Sequence, residues 1–164
     1  MAAFDPIRVK QALEEFGDAV INEARRNLEA RGMNASGSLG RNLDFQSQVM
    51  KNSIFAYFDL GKYGLAQDQG VDGTEQAQGS PYRYTAIGPS PEMVNNIQRW
   101  MSVRGIGFEE LSSKKKAWKI ADNIIKRGLK RTLFFSEAYE RAFAELPEEL
   151  VEAFGLEEAH ILKR

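Results

Sequence analysis

The chain has 164 residues, 22 Lys plus Arg against 23 Asp plus Glu, a formal net charge of −1, 43% hydrophobic residues and no cysteine. That length suits one core, and the composition is that of a folded domain. The missing cysteine excludes disulfides, thiolate zinc sites and thiol nucleophiles, and a single histidine, His160, leaves Ser-His-Asp or multi-histidine chemistry almost nothing to use.

Asp5-Pro6 is a good helix start, because an acceptor side chain caps and a proline ring already holds the helical φ. Val9, Leu13, Phe16, Val20, Ala24 and Leu28 then recur at steps of three and four until Gly32, which predicts one face of a long first helix. Residues 34–43 read as a loop or a short helix. Phe45 to Lys51 and Ser53 to Leu60 alternate as strands, with Lys51-Asn52-Ser53 as the turn of an antiparallel hairpin. The longest apolar run is the five residues Ile54 to Phe58, far short of the roughly 20 that span a bilayer. The N-terminus also lacks the basic start and apolar stretch of an export signal.

Between Gly61 and Pro91 no helical or strand period is sustained, and the segment reads as a long irregular loop. Compact domains rarely carry a structureless connection beyond about 12 to 15 residues unless it is functional or disordered, so this segment is the first place to look for an interaction. Tyr63, Gln67, Asp72, Tyr82 and Tyr84 are its candidate contact residues, tyrosine offering a large rigid surface with a polar tip. A surface loop with tyrosines folded back onto the sheet is an equally good reading of the same residues.

Ser90-Pro91-Glu92 opens a second helix with Val94, Ile97, Trp100 and Met101 as its buried stripe and Gly105 as its stop. A third helix starts near Ser112, burying Trp118, Ala121, Ile125 and Leu129, with Lys115, Lys119, Lys126 and Lys130 as a basic ridge on another side and Gly128 ending or bending it. Phe135, Ala138, Ala142 and Leu146 mark a fourth amphipathic segment, Leu150 to Phe154 allow a short last helix, and 155–164 reads as a mobile tail beyond a single domain over 1–154. The resulting expectation is an α+β fold, a long N-terminal helix and two to three others packed on a small antiparallel sheet.

Charge is unevenly placed. Residues 112–131 hold eight basic side chains against Asp122, whereas 132–164 hold eight glutamates against Arg141, Lys163 and Arg164. Solvated helix faces commonly look like this, but opposite fields also suit contact between copies of one chain. The lysine ridge could neutralise DNA phosphates without reading sequence. Trp118 and Phe134-Phe135 sit at core spacing, which favours packing over base stacking. The acids Asp59, Asp68, Asp72 and Glu75 do not make a calcium loop, since the twelfth position counted from Asp68 is Gly79 where a bidentate glutamate is required. No cofactor or metal is expected. A hydrolase working through Asp68 and Asp72 is the weakest reading.

Three stretches together resemble the tail-completion or neck-protein family of tailed bacteriophages: Ser36-Gly37-Ser38-Leu39-Gly40-Arg41-Asn42-Leu43, then Tyr63 to Gly73, then Ile120 to Ala138. Such proteins show a small-Gly-x-Leu turn after a long helix, a tyrosine-bearing segment ending in glycine, and a late helix closing with Lys/Arg-Gly and Phe before Ala. Leu133 stands where they often carry proline, and Asn42 where they often carry serine. The resemblance implies a structural, non-enzymatic virion protein. Such a protein forms a homo-oligomeric ring at the head-to-tail joint, assembled in the host cytoplasm, contacts portal, adaptor and tail proteins, and lets the genomic DNA pass.

Overall fold

The computed structural model describes residues 6–33, 37–50, 53–107 and 110–146. The expected cap at Asp5, the short helix over 150–154, the tail 155–164 and His160 lie outside the described residues. The fold is α+β. In chain order it runs α1 (Pro6–Ala30), α2 (Ser38–Arg41), β1 (Asp44–Met50), β2 (Ser53–Asp59), α3 (Gly61–Gln69), β3 (Val71–Asp72), α4 (Pro91–Val103), α5 (Glu110–Arg127), β4 (Gly128–Leu129) and α6 (Ser136–Ala144).

Helix α1 is the spine. Its stripe Val9, Leu13, Phe16, Val20, Ala24 and Leu28 is buried, as the spacing predicts. Two ion pairs lay α6 antiparallel along it, Arg31 with Glu137 and Arg141 with Glu23. The hairpin packs against the same helix in the register Phe45↔Phe58 and Val49↔Ile54. Gly17 is what permits that approach, because a Cβ there would lie 2.0 Å from the Phe45 ring. Between helix and hairpin, Phe16 and Phe58 meet each other and Tyr139 edge-on, and Phe58 meets Phe135 likewise, with centroids 5.1 to 6.1 Å apart. Edge-to-face geometry suits the ring quadrupoles and fixes the four side chains against one another.

A second, smaller cluster joins α4 to α5 through Val94, Met101, Ala117 and Ala121. The Ser90 hydroxyl accepts from the Met93 N–H, capping α4 behind Pro91 as its sequence predicts. Small alanines at the crossing let the two helices pack closely.

The structure corrects several of the expectations from sequence. The span 61–91 is not a structureless loop, since α3 and β3 occupy its first part. Trp118 is not core: it is 49% exposed, and the buried line of α5 is Ser113, Ala117, Ala121 and Ile125. Trp100 is likewise on the surface, with the Arg104 guanidinium 5.8 Å from its ring centroid. In both helices a small or flexible residue one position away takes the interior place, which leaves the indole outside.

Candidate interaction surface

The predicted contact residues divide into an internal set and an external set. The internal set belongs to a junction between the Tyr63–Gly73 stretch and the Ile120–Ala138 stretch. Asp68 is 1% exposed at its centre. Its Oδ1 accepts the N–H groups of Phe135 (2.8 Å) and Ser136 (3.0 Å), and its Oδ2 accepts the Ser136 hydroxyl and the Gln69 amide. The first N–H groups of α6 have no partner within their own helix, so Asp68 caps α6 from a distant part of the chain. Its backbone carbonyl accepts from Thr132 and Leu133, and the Gln67 carbonyl accepts from the Thr132 hydroxyl. Leu133 is held at φ 53 in this turn. Its N–H is also used, which is why a proline does not fit at this position.

The other half of the junction closes α5. Its last carbonyls accept from the backbone N–H groups of Thr74, Glu75 and Gln76, and the Gln78 amide donates to Arg127 O. Two glycines make this possible. A Cβ on Gly73 would lie 2.1 Å from Lys126 O, and one on Gly128, itself at φ 80, 2.2 Å from Val71 O. Asp72 organises the turn that follows: its Oδ1 accepts from Gln78 N (2.5 Å) and Ser80 N (3.1 Å). Those two N–H groups hold the Asp72 carboxyl below its ordinary range. Tyr84 donates its N–H to Asp72 O, is half-buried, and burial pushes its phenol up. Gln67, Asp72 and Tyr84 are therefore parts of the scaffold.

The external set is scattered. Tyr63 is exposed on α3, with its hydroxyl 3.4 Å from the Asn96 amide of α4. Tyr82 is exposed beside the Asp72 turn. Lys115 and Lys119 project from α5. Lys126 pairs with Asp122 at 2.9 Å, which raises its ammonium pKa. Lys130 lies past the end of α5, beyond the β4 residues Gly128 and Leu129, so the four lysines do not form one helical ridge.

Two exposed features were missed from sequence. One is Trp118, flanked one turn earlier by Lys114 and Lys115. The other is the hairpin, where Phe55 is 61% and Tyr57 55% exposed. A sequence signal for the second existed, because an unbroken apolar run Ile54-Phe55-Ala56-Tyr57-Phe58 puts apolar side chains on both faces of a strand. Between α4 and α5 lies a shallow polar depression, lined by Asn95, Gln98, Arg99, Ser102, Gly107 and Ser113. Among the described residues, no cluster of three or more His, Cys, Asp or Glu is placed to hold a metal ion, and no helix is long and apolar enough to cross a membrane.

Compared with known proteins, the chain matches no family model, no curated protein and no solved structure.

Proposed function

We propose that this protein is a structural subunit of a tailed-bacteriophage virion, forming a ring at the head-to-tail joint that holds portal or adaptor to tail and lets DNA pass. One observation carries the reading. The three stretches that resemble neck proteins, far apart in sequence, pack consecutively in space. Gly40, in the first, accepts from the Arg25 guanidinium of α1, and Leu39 lies against Gly64 of the second. The second then interlocks with the third through Asp68, Gly73 and Gly128. A chance scatter of small residues has no reason to meet in one framework whose close contacts demand those residue types. The role expected of that framework is to present surfaces, and the exposed apolar hairpin is such a surface.

The test is the mass of the purified chain, alone and mixed with a portal assembly. A defined ring in either sample supports the reading, and a strict monomer in both rejects it. A second reading, nonspecific DNA binding by α5, is favoured by the exposure of Trp118 beside Lys114 and Lys115. It requires duplex affinity of the monomer to fall steeply with salt, by about 0.9 log units per log unit of salt for each phosphate neutralised.

A further inference from the structure

We infer that the β1–β2 hairpin is completed by the hairpins of neighbouring copies of this chain, β2 of one copy pairing antiparallel with β1 of the next. This rests on the ring reading and names the contact that would close it.

Among the described residues the sheet contains only β1 and β2, so each strand keeps one long edge without a strand partner. A two-stranded hairpin needs support to be stable in water, which α1 supplies on one face here, and open edges are templates for further pairing. Natural edges are usually blunted by lysine, proline, a bulge or inward charge. No lysine, proline or bulge lies within either strand. The strands read Asp-Phe-Gln-Ser-Gln-Val-Met and Ser-Ile-Phe-Ala-Tyr-Phe-Asp, and their register runs through seven consecutive pairs without a bulge. The charges are Asp44 and Asp59, directly opposite each other at the base, where Asp59 accepts the Gly61 N–H at 2.7 Å. Within the strands the outer half is uncharged, with Phe55, Tyr57 and Met50 exposed on the face away from α1 and Ala56 exposed on the other.

The occupant follows from polarity. Each copy offers one β1 edge and one β2 edge, and joining β2 to the next β1 repeats the antiparallel relation already made inside the hairpin. Such a contact is head-to-tail, and repetition around an axis closes it into a ring that leaves no edge. The side chains on the outer face tolerate this repetition. Gln46 faces Tyr57 and Gln48 faces Phe55 within the hairpin, with the Tyr57 hydroxyl donating to Gln46 Oε1 at 2.5 Å. A neighbour's β1 would present the same glutamines to the open side of the same aromatic residues.

The natural chain lacks cysteine, so single introduced thiols report contact cleanly. A Gln48→Cys chain and a Phe55→Cys chain are assembled together and mildly oxidised, and the same is done with Gln46→Cys and Tyr57→Cys. Disulfide-linked dimers in either mixture, and not in any variant alone, are the expected result. Phe55→Lys combined with Tyr57→Lys is expected to leave the far-ultraviolet helical signal unchanged while reducing the ring to monomer. A ring that forms without cross-linking in both mixtures, or that survives the double lysine variant, overturns the edge pairing and leaves the ring reading standing. A wild-type chain that stays monomeric with and without portal overturns both.

Discussion

Asp68 shows how one side chain can fix the meeting of two distant segments. A buried carboxylate is costly unless its lone pairs are filled, and here two backbone N–H groups, a hydroxyl and an amide fill them. Asp68→Asn keeps the shape, turns a donor toward the Ser136 and Gln69 side, and removes the negative charge from the start of α6. It is expected to lower unfolding stability by about 1–3 kcal/mol, as read from urea midpoints. Asp72 gives a pH signature instead. Because its folded pKa is depressed, its contribution is present above the ordinary value of 3.8 and is lost as pH falls below that through the folded value. Asp72→Asn can keep both bonds to Oδ1, so its melting temperature should fall less steeply than that of wild type between pH 4 and 2. An identical slope in the two proteins would contradict this account of the turn.

Among the elements, α5 faces two ways. Its interior line is Ser113, Ala117, Ala121 and Ile125, and its one large aromatic is outside. Two substitutions separate these roles. Phe134→Ala opens a cavity in the fully buried centre and should cost about 3–5 kcal/mol, whereas Trp118→Ala should cost well under half of that. Comparable losses in a denaturant titration would return Trp118 to the core. The lysines near it are equally legible as solvated charge, and Lys126 spends its charge on Asp122 within the same helix. Exposed pairs of that kind add little stability.

At the scale of the whole molecule, a larger aromatic core lies between α1, the hairpin and α6, and a smaller cluster joins α4 to α5. If the hairpin is covered by other copies, association stabilises the folded chain by mass action. The melting temperature should then rise with protein concentration for the natural chain and stay constant for the Phe55→Lys, Tyr57→Lys variant. A natural chain whose melting temperature ignores concentration over two decades would speak for a self-sufficient monomer.

Local rules were enough for much of this fold. The 3.6-residue stripe of α1, the Ser90 cap of α4 and the alternation of the hairpin are short-range patterns, and each appears where the sequence places it. Tertiary packing decided the rest. Gly61 to Gln69 lacks an apolar stripe of its own, and its helix is held where Thr132 and Leu133, more than sixty residues away, donate to its last carbonyls. Trp118 and Trp100 have core-like spacing, but periodicity locates a face only to within about one residue, and alanine or methionine neighbours fitted the narrow helix crossing better. The function of Asp68 was invisible for the same reason: a carboxylate becomes a helix cap only when another segment brings N–H groups to it, and sequence does not record which segment will arrive.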